Sequence, residues 1–262
     1  ASRMSTGRAR ALAIRLADVF RGGDHHGTHA LGVTGCCADS RRCRKGDLFV
    51  ALRGSRVDGH RFIGEAVSRG ATAVLCETPP ADLDIPFCLV PDARVAFGVL
   101  CQALAGNPSD EMHVVGLTGT NGKTTTSYLI AGVLDAAGYP AGLMGTLGYF
   151  DGLTIEQAPL TTPTAPGVAQ WLARMSANGC THAVMEVSSH ALALGRVAGI
   201  TFDVACFTNL KSDHLDFHGD LESYHRAKAQ LLKLLAPDGV VILNVDDPAS
   251  VKMLSRTEGP VV

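Results

Sequence analysis

The sequence predicts an α/β protein in two parts: a small N-terminal α/β unit over residues 1–106, then a phosphate-loop-type, mostly parallel sheet flanked by helices over residues 113–262. Three observations predict it. Short apolar runs of strand length alternate with stretches of helical periodicity. A glycine turn around Gly119 and Gly122 stands between one such run and one such helix. A polar, turn-rich stretch, Gly106-Asn107-Pro108-Ser109-Asp110-Glu111, separates the two parts.

Leu12, Leu16, Val19 and Phe20 fall on one helical face, and Gly22-Gly23 with His25-His26-Gly27 ends that helix in a loop. Strands follow at 47–52, 71–76 and 87–90, with helices at 62–67, ended by Gly70, and at 92–105. Beyond the boundary the pattern gives apolar strand segments at 114–117, 141–147, 183–186, 204–207 and 240–243, and helices at 122–137, 168–177 and 221–235. Short connections between alternating strands and helices argue for a parallel sheet covered on both faces.

The chain of 262 residues has room for two ordinary domains, and 46% hydrophobic against 18% charged residues excludes a disordered protein. A net charge of −2 gives no electrostatic footprint for nucleic acid or an anionic membrane, so any anion must be bound by a local site. No continuous apolar stretch reaches signal-peptide or membrane-spanning length, and a soluble, cytoplasmic protein is expected. The eight cysteines form no C-x-x-C pair and mostly sit in apolar runs, which predicts reduced, buried thiols.

Gly119-Thr120-Asn121-Gly122-Lys123-Thr124-Thr125 follows a strand and opens a helix, the context that a phosphate-binding loop requires. Glycines let backbone N–H groups converge on phosphate oxygens, the helix N-terminus adds partial positive charge, Lys123 reaches outer phosphates and the Thr124 hydroxyl can ligate Mg²⁺. The G-x-x-x-x-G-K-[ST] spacing is missed by one residue, since Leu117 stands where a glycine belongs and the first usable glycine is Gly116 or Gly119. The plain alternative is a glycine-rich turn with a solvated lysine.

Glu186 ends an apolar strand, which places it at the carboxyl edge of the sheet, where open α/β sheets bind ligands. With Thr124 it can offer oxygen to Mg²⁺; the lesser alternative is a solvated strand-end acid. His214 and His218 stand four apart, but Gly219 and the missing third ligand argue against a zinc helix and leave His214 as the candidate near magnesium. His25, His26 and His29 give only a compositional hint of metal binding. Lys228 falls on the apolar stripe of its helix with Leu221, Tyr224, Leu231, Leu232 and Leu235. A poorly solvated lysine is disfavoured as an ammonium, and the neutral amine can add CO₂ to give a carbamate, an oxygen ligand for a second Mg²⁺. Helical position alone favours the other reading, a lysine snorkelling to water.

Thr118-Gly119-Thr120-Asn121-Gly122-Lys123-Thr124 is similar to the phosphate loop of the Mur ligase superfamily, which includes folylpolyglutamate synthetases. Asp39-Ser40-Arg41, Gly46 to Gly54, Asp58-Gly59-His60, Thr161-Thr162-Pro163, Glu186-Val187-Ser188-Ser189-His190 with Arg196, Thr208-Asn209-Leu210, Asp213 to Gly219 and Tyr224 to Lys228 extend the resemblance from about Asp39 onward. In order and spacing they resemble the tripeptide-forming members of the Mur ligase family. That resemblance implies an ATP-dependent amide ligase of peptidoglycan synthesis. It adds an amino acid, diaminopimelate or lysine, to UDP-N-acetylmuramoyl-L-alanyl-D-glutamate through an acyl phosphate.

The resemblance also implies residue roles. Residues 1–106 become a UDP-substrate domain and residues 113–262 a central ATP-binding domain. Gly119, Thr120, Asn121, Gly122, Lys123, Thr124, Thr125 and Asn209 would bind ATP. Lys123, Glu186, His214 and Lys228 would be catalytic, and Thr124, Glu186, His214 and carbamylated Lys228 would hold two Mg²⁺ ions. Ser40 would contact the uridine-diphosphate end of the substrate, and Thr161, Thr162, Ser188 and Arg196 its muramoyl-dipeptide part. The partners are then the UDP-muramoyl dipeptide and an amino acid, with no nucleic acid and no membrane, and a monomer is expected.

Two departures stand out. Leu194 replaces a glutamine that some family members carry two residues before the arginine, and the chain stops at Val262, shortly after Asn244-Val245-Asp246-Asp247-Pro248. A chain without the rest of the central domain and the C-terminal ligase domain is expected to bind substrates weakly and not to turn over. Two rivals remain: a folylpolyglutamate-synthetase-like ligase, against which the Asp39-Ser40-Arg41 block speaks, and a non-catalytic nucleotide-binding module.

Overall fold

The structure is a computed structural model that describes residues 3–5, 13–54, 57–80, 84–253 and 260–262. It divides into two compact units, Ala1–Gly106 with Thr164–Gly167, and Asn107–Pro163 with Val168–Val262.

The first unit contains β1 (Arg3–Ser5), β2 (Ile14–Arg15), α1 (Leu16–Val19), β3 (Asp24–His26), β4 (Gly32–Val33), β5 (Gly35–Cys37), β6 (Leu48–Val50), α2 (Ile63–Ser68), β7 (Ala73–Cys76), β8 (Phe87–Leu89) and α3 (Ala93–Leu104). Its main sheet has the order β1-β5-β6-β7-β8-β3, parallel from β5 to β8 and antiparallel at both edges. Every residue of β6 and β7 is buried, as expected of parallel strands covered on both faces. Asp92 caps α3 by accepting from the amides of Arg94 and Val95, and Ala93, Ala96, Phe97, Leu100, Cys101 and Leu104 form its buried stripe.

Three expectations for this unit are corrected. The first helix is a single turn, Leu16–Val19, preceded by a strand residue pair, and Leu12 lies outside the described residues. The expected histidine loop is the edge strand β3, whose His25 and His26 pair with Cys88 and Phe87; an edge strand needs no apolar alternation. Cys37 and Cys43 are joined in a disulfide rather than reduced, while the other six cysteines are free and buried. Asp39 caps the turn Ser40–Arg42 and brings the two Cα atoms to 6.0 Å, within the span that the bond requires. Burial pushes the Cys76 thiol up to about 12, with the neighbouring Cys88 adding to it.

The second unit contains β9 (His113–Thr118), α4 (Lys123–Ala136), β10 (Ala141–Gly145), β11 (Gly148–Phe150), β12 (Ile155–Glu156), α5 (Ala165–Ala177) from Val168 on, β13 (His182–Glu186), α6 (Ser189–Ala193), β14 (Phe202–Phe207), α7 (Leu215–His218), α8 (Leu221–Ala229), β15 (Leu235–Leu243) and α9 (Pro248–Val251). The sheet order is β12-β11-β10-β13-β9-β14-β15, with β10, β13, β9, β14 and β15 parallel and a short antiparallel hairpin, β11 and β12, at one edge. Val114, Met144, Ala183, Met185, Ala205 and Val241 face one core with Val168, Leu172 and Met175 of α5. The helix expected over 221–235 is shorter: α8 stops at Ala229, the chain tightens into 3₁₀ turns over Gln230–Leu234, and Leu235 already begins β15. Among the described residues no helix is long and apolar enough to cross a membrane.

Candidate active site

The parallel strands of the second unit all deliver their carboxyl ends to one edge. Gly119 follows β9, Thr146 follows β10, Glu186 is the last residue of β13 and Thr208 follows β14. The order β10-β13-β9-β14 makes these strand ends neighbours, so residues from four distant stretches meet where open α/β sheets place ligands.

Gly116 lies inside β9, so the loop begins at Gly119. Gly119 (φ +149°) and Gly122 (φ +84°) occupy backbone regions that side chains disfavour, and a Cβ on Gly119 would overlap Thr208 Oγ1. The loop is braced from β14. Thr120 N donates to Asn209 O (2.8 Å), Asn121 N to Asn209 Oδ1 (3.0 Å), and Thr208 Oγ1 and Asn209 Nδ2 donate to Asn121 O (2.6 and 3.0 Å). Asn209 thereby braces the loop through both its carbonyl and its side chain. At the start of α4 the amides of Lys123, Thr124 and Thr125 have no carbonyl of a preceding turn to bind, which leaves a positive helix end at the loop.

Glu186 is fully buried and held by three donors. Its Oε2 accepts from Thr124 Oγ1 and Thr146 Oγ1, each at 3.1 Å, and its Oε1 from Thr146 N at 2.9 Å. Gly145 leaves room for this carboxylate, since a Cβ there would overlap Oε1. Lys123 Nζ donates to Gly119 O (2.8 Å) and Thr120 O (3.0 Å). Burial lowers its pKa, while the charges of Glu186 and Asp213 act the other way.

Lys228 is 1% exposed, so it does not reach bulk water. Its Nζ donates to Gly119 O at 2.8 Å, approaches Thr118 Oγ1 at 3.5 Å and lies 4.7 Å above the Tyr224 ring, whose hydroxyl meets Thr120 Oγ1 at 3.0 Å. Burial brings its pKa down to about 7 and the Lys123 charge adds to the effect, against Asp213.

Thr161, Thr162, Ser188 and Arg196 gather beside Glu186. Thr161 Oγ1 lies 3.1 Å from Thr146 Oγ1. Thr162, 1% exposed, donates its hydroxyl to Glu186 O (2.9 Å) and accepts from Ser188 N (3.0 Å), so its side chain is spent internally. Ser188 caps α6 by accepting from Ala191 N (3.2 Å), and Arg196 Nη1 donates to Thr162 O (3.1 Å). Burial lowers the pKa of Arg196. Leu194 is the C-cap of α6.

His214 is placed differently. It takes a left-handed conformation (φ +51°), pairs with Asp213 at 3.5 Å and lies edge-on to His190 at 4.8 Å. Among the described residues no hydrogen bond or ion pair joins it to Thr124, Glu186 or Lys228; Asp213 is its link, because both lysines sense that carboxylate. His218 instead meets Ser189 Oγ at 3.0 Å. Thr125 is exposed on the first turn of α4. Ser40, in the first unit, is buried and donates its hydroxyl to Glu65 Oε2 at 2.7 Å. Sequence reasoning missed Thr146, Asp213 and Tyr224. Each had a partial signal: Thr146 a Gly-Thr step at a strand end, Asp213 its place beside His214, and Tyr224 its place on the apolar stripe with Lys228.

Residues 117–262 match the Mur ligase middle domain, and residues 32–96 the catalytic domain of the Mur ligase family. The chain is 48% identical over 234 residues to the UDP-N-acetylmuramoyl-L-alanyl-D-glutamate--2,6-diaminopimelate ligase of Chlorobium phaeobacteroides, covering 87% of this chain and 45% of that protein. The protein of the same name from Geobacter metallireducens is 44% identical over 254 residues, covering 94% of this chain and 50% of its own length. A solved structure of a UDP-N-acetylmuramoyl-L-alanyl-D-glutamate--2,6-diaminopimelate ligase superposes with a TM-score of 0.80 at 28% identity, over 96% of this chain and 52% of that one. MurF ligase from Thermotoga maritima in complex with ADP gives 0.53 at 26% identity, over 87% and 49%. The chain spans about half the length of the curated relatives it matches. With a middle-domain match over more than half of its residues, on a parallel sheet that ends in a braced phosphate-type loop, the chain belongs to the Mur ligase family.

Proposed function

We propose that the second unit handles ATP and the muramoyl-dipeptide part of the substrate, and the first unit its uridine-diphosphate end, in a ligase that adds 2,6-diaminopimelate to UDP-N-acetylmuramoyl-L-alanyl-D-glutamate. One observation above all supports this: the Thr124 hydroxyl and the buried Glu186 carboxylate meet at 3.1 Å at the start of α4, where Lys123 and Lys228 both donate to the loop carbonyl of Gly119. The choice of diaminopimelate follows the names of the relatives.

The donor set fits magnesium, a hard ion that takes oxygen ligands, through Thr124 and Glu186. His214 and a carbamate on Lys228 complete the set by the family resemblance, giving two ions. Bound there, Mg²⁺ offsets repulsion between a substrate carboxylate and the polyphosphate. The chain's own contribution is charge and position. The α4 amides and Lys123 face the phosphates, while Gly119, Thr120, Asn121 and Gly122 shape the loop and Asn209 holds it. Ser188, Thr161 and Arg196 hold the dipeptide, and Thr162 acts through its backbone. A carboxylate activated as an acyl phosphate then loses phosphate to the incoming amine. At Lys228 the neutral amine adds CO₂, forming an N–C bond and releasing a proton. A ¹³C carbamate signal from labelled bicarbonate, absent in Lys228→Ala, is the expected sign.

Thermal denaturation tests the reading, because a ligand that binds the native state raises the melting temperature. MgATP and UDP-N-acetylmuramoyl-L-alanyl-D-glutamate should each raise it, and Lys123→Ala should lose the response to MgATP alone. If the UDP-linked dipeptide has no effect at millimolar concentration while MgATP does, a non-catalytic nucleotide-binding module replaces this reading.

A further inference from the structure

Thr146 joins the carboxylate on the nucleotide side to a threonine on the dipeptide side. Its amide donates to Glu186 Oε1 (2.9 Å), its hydroxyl lies 3.1 Å from Glu186 Oε2, and the same hydroxyl lies 3.1 Å from Thr161 Oγ1. A hydroxyl has one proton, and an ionised carboxylate only accepts. The Thr146 proton therefore goes to Glu186. Its oxygen then faces Thr161 as an acceptor, so the single Thr161 proton goes to Thr146. What Thr161 has left for a ligand is lone pairs.

We propose that Thr146 is a positioning residue that fixes the hydrogen-bond polarity of Thr161, so that Thr161 receives an N–H of the substrate's peptide rather than donating to one of its oxygens. The substrate class rests on the reading under Proposed function. The neighbours have the opposite polarity. Ser188 Oγ is an acceptor in both of its contacts, from Ala191 N and, at 3.3 Å, from the Thr162 hydroxyl, whose shorter bond goes to Glu186 O. Its own proton is free to donate, and Arg196 has only donors. Donors beside an acceptor complement a ligand that presents carboxylate oxygens beside a peptide N–H, as an acyl-amino acid does. A carboxylate or phosphate oxygen placed on Thr161 would meet lone pairs, and a ligand lacking that N–H would leave Thr161 unpaired.

Two measurements test this. Neutron diffraction from deuterium-exchanged crystals of the chain reads the polarity without a ligand. Deuterium on Thr146 Oγ1 toward Glu186, and on Thr161 Oγ1 toward Thr146, is expected; a Thr161 deuterium directed away from Thr146 overturns the proposal. Titration calorimetry then compares UDP-N-acetylmuramoyl-L-alanyl-D-glutamate with analogues in which an ester replaces either peptide linkage. Wild type should bind one ester about tenfold more weakly, as for one lost hydrogen bond with an acceptor left unpaired. Thr161→Val and Thr146→Val should bring that ratio close to one, and Thr146→Ser should keep it. Equal binding of both esters, or a full preference in Thr146→Val, contradicts the assignment. If wild type fails to bind the parent dipeptide, the substrate reading falls, and the neutron map still decides the polarity.

Discussion

Lys123 and Lys228 donate to the same acceptor: each places its Nζ 2.8 Å from the carbonyl oxygen of Gly119. Two side chains separated by most of the second unit's sequence thus converge on one atom of the loop after β9. Burial, with the like charge of Lys123 adding to it, lowers the pKa of Lys228. A polyanion at the loop would reverse that balance.

Replacing Lys228 with methionine should therefore stabilise the chain by about 1–3 kcal/mol at neutral pH, since a buried charge gives way to an apolar side chain of similar shape. Gly119 O retains Lys123 as its donor, so the substitution strands no acceptor. Urea denaturation of the two proteins at pH 7 provides the comparison. A loss of stability would show that the ammonium is a net structural asset.

Glu186→Gln should weaken nucleotide binding in a magnesium-dependent way. The amide keeps the shape but loses the charge, and one of its ends presents N–H groups to Thr124 and Thr146. Affinity for MgATP should fall at least about tenfold, the scale of one charge-assisted contact, while affinity for ATP in EDTA changes little. Equal losses in both titrations would place Glu186 in scaffolding alone.

Gly145→Ala tests the packing that lets Glu186 lie where it does. The added methyl overlaps Oε1, so the carboxylate must shift away from Thr124 or the strand must bend. Overpacking of this kind costs about 1–3 kcal/mol. A lower melting temperature together with weakened MgATP binding is expected, and unchanged values for both would show that the strand end is more accommodating than drawn.

Asp151 gives a pH dependence outside the site. Burial acts to raise its pKa, but the amides of Thr154 and Leu153 and the Arg174 guanidinium outweigh it and hold the carboxyl below its ordinary 3.8. The contacts are Thr154 N (2.8 Å), Leu153 N (3.1 Å) and Arg174 Nε (2.9 Å). A lowered carboxyl pKa stabilises fully above 3.8, and the contribution is lost as pH falls from there toward the folded value. Asp151→Asn should cost about 2–3 kcal/mol at pH 7, with the gap to wild type narrowing as pH falls below 3.8. A gap that stays constant with pH would assign the effect to shape.

The two sheets were largely legible because their central strands are buried and read as apolar runs, as Ala73–Cys76 and the Ala183-Val184-Met185 stretch of β13 do. Edge elements were not: β3 carries His25 and His26, and nothing in a polar edge strand distinguishes it from a loop. The turn at Asp39 that sets Cys37 against Cys43 is likewise a matter of backbone geometry, not of cysteine spacing. In the site, Glu186 could be placed because it ends an apolar strand, and Lys228 because helical spacing put it on the buried stripe. Thr146 could not. Its position against Glu186 and Thr161 comes from β10 lying beside β13, an adjacency that no local pattern encodes.

The most direct test is a crystal structure of the chain with Mg²⁺ and a non-hydrolysable ATP analogue. The terminal phosphates should lie over the start of α4, with Lys123 turned from the loop carbonyls onto them and a magnesium ion touching both Thr124 Oγ1 and Glu186. A triphosphate bound elsewhere, or seated at the loop with its metal remote from Glu186, would contradict the proposal that loop, acid and buried lysine serve one nucleotide.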